Sequence, residues 1–94
     1  MRPSEALAKH RDEVLAIIAR YPVSNPRVFG SAARGEDTEG SDLDLLVEKR
    51  GPLTYIDIFK LEDELVGLLG CPVEVLTLLK PQAMTTAERD LRPL

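Results

Sequence analysis

Two short segments of this 94-residue chain carry residues that could bind phosphate and a divalent metal ion. The first, GSAARG, spans residues 30–35, and the second, SDLDLLV, spans residues 41–47. A glycine and a serine at a turn into a helix offer backbone N–H groups and a hydroxyl to phosphate oxygens. Two carboxylates two residues apart in a strand point to the same side and can share one cation. The two segments together predict a site for a phosphate-bearing ligand and a metal ion.

Asp42 and Asp44 are the residues that we expect to bind metal, with the intervening Leu43 facing the core. Mg²⁺ takes one or two carboxylates together with waters and phosphate oxygens, so an Asp-x-Asp pair suits it. A calcium loop fits less well, because the residues after Asp44 supply no side-chain oxygen. The alternative is that both aspartates are strand-end surface charges, since Ser-Asp sequences are common in turns.

The turn at Gly30 and Ser31 is the predicted phosphate-binding element. Glycine lets a phosphate approach the backbone closely, and the serine hydroxyl can add a hydrogen bond. The chain has neither a Walker-type G-x-x-x-x-G-K-[ST] motif nor a G-x-G-x-x-G motif between a strand and a helix. A strand–Gly-Ser–helix junction can also serve only to turn the chain, and that interpretation stays open.

Glu74 is the third acidic candidate, because it interrupts the otherwise apolar strand VEVLTL of residues 73–78. An unpaired carboxylate in such a strand is costly if it is buried. Either this strand lies at an edge with Glu74 facing water, or it lies beside the Asp42 strand and completes a cluster of three carboxylates. Three carboxylates and a triphosphate can hold two metal ions, which stabilise the attacking and leaving oxygens of an in-line displacement.

Hydrophobic periodicity and turn residues predict the elements that must position these groups. They are a helix over 4–21 with Ser4 as its N-cap, a strand at 27–29, a short helix ended by Gly35, a strand at 43–47, a helix from the Thr54–Asp57 capping box to Gly70, a strand at 73–78, and a weak helix from Lys80. We expect residues 89–94 to fray. Three strands would form a small sheet with helices packed mainly on one face, an α/β (α+β) fold in a single domain spanning residues 1–94.

Composition excludes several classes of function. The net charge of −4 and an aromatic content of 4% argue against a nucleic-acid-binding protein. No apolar run approaches the ~20 residues of a membrane span, and residues 1–5 do not resemble an apolar leader. Cys71 is the single cysteine, which predicts a packing role in a reducing, cytoplasmic setting. We expect the acidic run at 36–39 to solvate a loop, although it could steer metal toward the site.

The strings GSAARG and SDLDLLV, with ten residues between Ser31 and Asp42 and a later strand carboxylate at Glu74, resemble the minimal nucleotidyltransferases. That family shares its catalytic fold with DNA polymerase beta, and the resemblance covers residues 27–78. It implies a mixed sheet flanked by helices, Mg²⁺-dependent binding of ATP or another nucleoside triphosphate, and transfer of a nucleoside monophosphate to a hydroxyl. Relatives of this size are often paired with an all-helical HEPN partner, as antitoxin with toxin, and some adenylylate a tyrosine of that partner.

The resemblance also implies a role for each matching residue. Gly30 and Ser31 would hold the triphosphate, Asp42 and Asp44 would bind metal, and Glu74 would assist a second Mg²⁺ and act as the base. Ser41 would contact the nucleotide, and Arg34 would bind phosphate or brace the loop. The family more often has Asp at the position of Glu74, whose side chain is one methylene longer.

Three functions remain open on the sequence. The first is an enzyme that transfers AMP to a hydroxyl of a HEPN-type partner. The second is a binding module that has the same fold and neutralises such a partner by contact. The third is a phosphate-binding domain unrelated to transfer. For the enzyme, the acceptor must come from a separate protein, or self-association must build the missing surface.

Overall fold

The computed structural model describes residues 1–78 and 92–94. In chain order the elements are α1 (Pro3–Lys9), α2 (Arg11–Ile18), β1 (Val23–Phe29), α3 (Ser31–Arg34), β2 (Leu43–Lys49), α4 (Tyr55–Leu69), β3 (Val73–Leu78) and β4 (Arg92–Pro93).

The strands form one mixed sheet in the order β3-β2-β1-β4. β1 is antiparallel to β2 and to β4, whereas β2 and β3 are parallel. A parallel pair needs a crossover connection, and α4 provides it between β2 and β3. The prediction of an α/β fold with a mixed sheet is confirmed, but the sheet has four strands rather than three.

The additional strand, β4, corrects the expectation that the end of the chain frays. Arg92 pairs with Val28 and Pro93 with Arg27 in β1, and the Leu94 N–H donates to the Pro26 carbonyl at 3.1 Å. Proline is tolerated there because β4 is an edge strand. A two-residue strand has no detectable periodicity, so only its long-range pairing reveals it. The weak helix predicted from Lys80 lies outside the described residues.

The first predicted helix is two helices, separated at His10, which has φ −112° and ψ 23°. Ser4 is not the N-cap, because Arg2 takes that position and Pro3 opens the helix. Proline is favoured at the first helical position, where its missing N–H leaves no hydrogen bond unmade. Ser4 therefore lies in the first turn of α1, and its hydroxyl is available for a contact described below.

β1 begins at Val23 rather than at Arg27, and it contains an irregularity between Ser24 and Arg27. Asn25 has a φ of 50° there. Pro26 falls within this irregular stretch, where a residue without an N–H does not interrupt the ladder. The bulge explains why two polar residues and a proline could be incorporated into a strand.

The core lies between the sheet and the helices, as the sequence predicts. Leu43, Leu45 and Val47 of β2 are fully buried on one face, where they pack with residues of α1, α2 and α4. The capping box of α4 is formed as predicted, because Asp57 N–H donates to Thr54 Oγ1 at 3.2 Å and Thr54 N–H donates to Asp57 Oδ2 at 3.1 Å. No helix in the described ranges is long and apolar enough to cross a membrane.

Candidate active site

One edge of the sheet brings together the ends of three strands and the predicted site residues. β2 and β3 are parallel and in register, so Asp44 lies directly beside Glu74. β1 runs the other way, and its last residue, Phe29, lies opposite Asp44. Gly30 follows at once, so the turn into α3 also lies at this edge. The structure therefore places the two sequence segments and Glu74 at one place.

Gly30 is required at this turn for two separate reasons. Its backbone has φ 75° and ψ −153°, a conformation essentially confined to glycine. A Cβ atom at this position would also lie only 2.7 Å from Oδ2 of Asp44. The absence of a side chain thus leaves room for the Asp44 carboxylate to approach the turn.

The Asp44 carboxyl group is half-buried, and its pKa is raised above its usual value. Burial is the largest cause, and the nearby charges of Glu74 and Asp42 add to it. Asp42 and Glu74 are thus close enough to Asp44 for their charges to act on its carboxyl group. A bound cation would favour the charged form of Asp44, so the electrostatics of this edge fit a metal-binding role.

Within the described ranges, no three His, Cys, Asp or Glu side chains are grouped closely enough to hold a metal ion by themselves. Mg²⁺ does not require such a group, because it usually takes one or two carboxylates and completes its octahedron with water and substrate phosphates. Asp42 and Asp44 provide a donor set of that kind. The residues present therefore fit Mg²⁺ bound together with a triphosphate.

The turn after β1 is held by its own backbone. Arg34 N–H donates to the Gly30 carbonyl at 3.2 Å, and Glu36 N–H donates to the Ser31 carbonyl at 2.9 Å. The Nε of Arg34 lies 3.4 Å from Oε1 of Glu36 in an exposed ion pair. Both residues of this pair belong to the same turn, and the predicted roles of Arg34, phosphate binding or bracing of the loop, stay predictions. The α3 helix ends at Gly35, which has a φ of 72°, as the sequence predicts.

Ser41 closes a second turn, immediately before Asp42. Its hydroxyl oxygen accepts a hydrogen bond from the Thr38 N–H at 2.9 Å, and its own N–H donates to the Thr38 carbonyl at 3.0 Å. These contacts fix the direction in which the chain enters β2. In the structure Ser41 therefore orients the loop that leads to Asp42, and its predicted contact with nucleotide stays a prediction.

Asp37 contradicts the expectation that residues 36–39 only solvate a loop. It is 3% exposed, and its two carboxylate oxygens accept hydrogen bonds from the Ser4 N–H and the Ser4 hydroxyl, both at 2.8 Å. Burial by itself would raise the pKa of Asp37, but these hydrogen bonds outweigh it and lower the pKa. Asp37 thus ties the loop between α3 and β2 to the first turn of α1. No local pattern could reveal this pairing, because the two residues are 33 positions apart.

Glu74 lies exposed on β3, which is an edge strand of the sheet. Glu74 thus faces water, as the first interpretation expects, and lies beside Asp44, as the second requires. The described residues do not form a three-carboxylate group that holds metal by itself, so a metal-binding role of Glu74 stays a prediction. The strand is fixed from the helix side, where the Val75 N–H donates to Oε2 of Glu62 at 2.9 Å. The start of β2 is joined to the residue before β3 by a hydrogen bond of 2.8 Å from Leu43 N–H to the Pro72 carbonyl.

Cys71 is buried next to this edge. Burial raises the pKa of its thiol, and the charges of Asp42 and Asp37 raise it further. A thiol that is held neutral is a poor nucleophile. The chemistry of Cys71 therefore agrees with the packing role expected from the sequence.

A nucleotide-dependent transferase is the class of protein that this fold and this edge define. Residues 7–90 match the family described as Nucleotidyltransferase domain. The chain belongs to this nucleotidyltransferase family of enzymes.

Two relatives agree with this assignment. A Methanocaldococcus jannaschii protein provisionally named a protein adenylyltransferase is 34% identical over 90 residues, covering 93% of this chain and 89% of the relative. The protein adenylyltransferase MntA of Thermococcus cleftensis is 36% identical over 69 residues, covering 73% of this chain and 67% of the relative.

Two solved structures share the fold. One, provisionally described as a minimal nucleotidyltransferase, has a TM-score of 0.82 and 41% identity, covering 97% of this chain and 95% of that chain. The other contains a tri-AMPylated HEPN toxin of Shewanella oneidensis in complex with an MNT antitoxin. It matches with a TM-score of 0.69 and 14% identity, covering 92% of this chain and 69% of that chain. At that identity the second likeness shows the fold alone.

Proposed function

We propose that this protein transfers AMP from ATP to a hydroxyl group of a HEPN-type helical partner, with Mg²⁺ as cofactor, and thereby acts as an antitoxin. The observation that carries the proposal is the edge where Gly30 leaves space for Asp44 and where Asp44 lies beside Glu74. The adenylyltransferase names of the relatives favour AMP as the transferred group. The complex of an MNT antitoxin with an AMPylated HEPN toxin favours the partner.

In this proposal every predicted residue contributes to binding or to catalysis. Gly30 and Ser31 hold the triphosphate, Ser41 contacts the nucleotide, and Arg34 binds phosphate or braces the loop. Asp42 and Asp44 hold Mg²⁺, which when bound neutralises charge on the phosphates and on the oxygens that attack and leave. Glu74 supports a second ion.

The acceptor hydroxyl forms a bond to the α-phosphorus as the bond from that phosphorus to the leaving pyrophosphate breaks. Glu74 takes the hydroxyl proton, since it is exposed at the edge and can reach an acceptor that approaches from solvent. Most of the rate enhancement would come from positioning and electrostatics rather than from covalent chemistry by the protein. The cytoplasm is the proposed setting, because a single cysteine with a buried thiol suits a reducing compartment.

The test is transfer of label from α-labelled ATP with Mg²⁺, measured with and without the HEPN-type partner. We expect label on the partner with the intact protein and a loss of at least about 100-fold in the double variant Asp42→Asn/Asp44→Asn. The matched control is Asp12→Asn/Glu13→Gln, which removes the same charge from the exposed surface of α2 and should retain full transfer.

The same experiment separates the enzyme from the binding module. If no label is transferred from any of the four nucleotides while a stable complex forms, the protein acts by contact alone. If the double variant still neutralises the partner, catalysis is not the mechanism of neutralisation. A gel-filtration profile of the complex and a circular dichroism spectrum of each variant show whether folding and binding were preserved.

A further inference from the structure

The outer face of α4 is apolar and exposed. Tyr55 is 84% exposed, Ile56 63%, Phe59 62% and Val66 38%, whereas the opposite face of the same helix is buried in the core. Single exposed apolar residues are common, but a contiguous set on one helix indicates an interaction surface. Two of the four aromatic residues of the chain lie in this set. We call these four residues the outer face of α4.

The proposed active site does not account for this face. Tyr55 and Ile56 follow the C-terminal end of β2, at the opposite end of the sheet from Asp44. Val66 lies toward the end of the sheet that holds Asp44, but all four residues face away from the sheet, against which α4 packs with Leu61, Leu65 and Leu69. The outer face of α4 is therefore free to serve a different contact.

The charged residues on the same face indicate which partner binds it. Ile56, Phe59, Asp63 and Val66 recur at spacings of three and four residues and so form one stripe along the helix, with Lys60 directly beside it. In an antiparallel pair of such helices, related by a two-fold axis near residues 61 and 62, Ile56 of one copy would meet Val66 of the other. Lys60 of each copy would meet Asp63 of the other, so the stripe complements itself in shape and in charge.

We propose that the outer face of α4 packs antiparallel against the same face of a second copy, forming a two-fold symmetric dimer. Gly67 lies next to this stripe, and nothing lies within 4 Å of the position that its Cβ would occupy, so the ring of Tyr55 from the other copy, which this register places opposite Gly67, has room there. Both members of the ion pair are on this chain, which favours a second copy over an unrelated helical protein. A single helix pair buries less than ~1,000 Å², so the dimer should be weak and concentration-dependent.

The test is the molar mass of the full chain by sedimentation equilibrium up to about 1 mM, across the range in which weak complexes form. We expect a dimer whose dissociation constant rises at least about tenfold in Lys60→Asp and in Asp63→Lys, because each places like charges together twice. The double variant should return to within about threefold of the unmodified protein, because it restores both pairs in reverse. Phe59→Ser should be monomeric.

Leu76→Ser is the matched control, because Leu76 is 40% exposed and lies on the face of β3 opposite to the buried Val75, which packs in the core with α4. Its loss should leave the dimer unchanged. A chain that stays monomeric throughout overturns the proposal, and so does a dimer that ignores the charge reversals. The proposal also fails if Phe59→Ser leaves the mass unchanged but abolishes binding of the HEPN-type partner, because the face then belongs to that partner. AMP transfer by Phe59→Ser is measured in parallel, so the outcome for the dimer does not depend on the outcome for the proposed activity.

Discussion

Asp37 and Asp44 belong to the same stretch of chain, and both carboxyl groups are withdrawn from solvent, yet their surroundings are opposite. Asp37 receives two hydrogen bonds from Ser4, and its pKa is lowered although burial opposes this. Asp44 is half-buried, with Glu74 and Asp42 as its charged neighbours, and its pKa is raised by burial and by those charges.

The difference separates a structural carboxylate from one that is suited to bind a ligand. The protein supplies partners for Asp37, so its charge stabilises the folded state without any bound group. At Asp44 the protein instead gathers like charges, which is unfavourable until a cation neutralises them. Burial acts to raise the pKa of both carboxyl groups, so it is the identity of their neighbours that distinguishes the two residues.

Replacing Gly30 should produce the largest effect. In Gly30→Ala the new Cβ would lie 2.7 Å from Oδ2 of Asp44 and would displace that carboxylate. We expect AMP transfer to fall by at least about 100-fold and the free energy of unfolding to fall by about 1–3 kcal/mol from backbone strain. Initial rates with labelled ATP and thermal denaturation measure the two effects.

Gly35→Ala is the control for strain, because Gly35 also has a positive φ of 72° but has no atom within 4 Å of its Cβ position. It should lose stability by about 1–2 kcal/mol while most of the transfer activity remains. Equal losses of activity in the two variants would show that strain, rather than the approach of Asp44, explains the need for glycine at position 30.

Asp37→Asn should destabilise the protein by about 2 kcal/mol, because the amide can accept only one of the two hydrogen bonds from Ser4 and the charge that strengthens both is lost. Urea unfolding measures the change. Ser4→Ala should lose less than Asp37→Asn, and a double-mutant cycle between the two should show strong coupling. Glu39→Gln, in the same loop but exposed, should change stability by less than about 0.5 kcal/mol. If Asp37→Asn is as stable as Glu39→Gln, Asp37 does not have the structural role assigned to it.

In the absence of Mg²⁺, Asp44→Asn should change the free energy of unfolding in the opposite direction from Asp37→Asn. Removing this charge relieves its repulsion with Glu74 and Asp42, so the free energy of unfolding should rise by less than about 1 kcal/mol. Mg²⁺ with a nonhydrolysable ATP analogue should raise the melting temperature of the unmodified protein but not that of the variant. Destabilisation by Asp44→Asn of the size seen for Asp37→Asn would show that the two carboxylates have the same role.

The pH dependence of stability should give the smallest and most specific difference between Asp37 and Asp44. The pKa of Asp37 is lowered from an ordinary value of 3.8, so its stabilisation is present above that pH and is lost as the pH falls further. The pKa of Asp44 is raised from the same ordinary value. The destabilisation of the folded state by the Asp44 charge is therefore absent below pH 3.8 and develops as the pH rises through the folded pKa. Urea unfolding from about pH 3 to pH 7 should therefore show the loss in Asp37→Asn shrinking at the acid end. The gain in Asp44→Asn should appear only toward neutral pH. Parallel pH curves for the two variants would contradict this assignment.

Much of the fold followed from local sequence. The α4 helix was predicted with its Thr54–Asp57 capping box and its end at Gly70, and both are formed. The burial of Leu43 beside Asp44 was also predicted, because alternation along a strand extends over only a few residues. The break at His10 was missed, since apolar periodicity continues across it and nothing local marks a change of helix direction.

The sequence by itself determined which residues could do chemistry, namely the glycine–serine turn, the Asp-x-Asp pair and the single acid in an apolar strand. Only the tertiary structure decided that Glu74 lies in register with Asp44 and that Gly30 leaves room for the Asp44 carboxylate. It alone revealed Asp37 bound to Ser4 and the pairing of β4 with β1. The physical reason is range: turn chemistry and periodicity act over a few neighbouring residues, whereas register and buried hydrogen bonds depend on residues that only folding brings together.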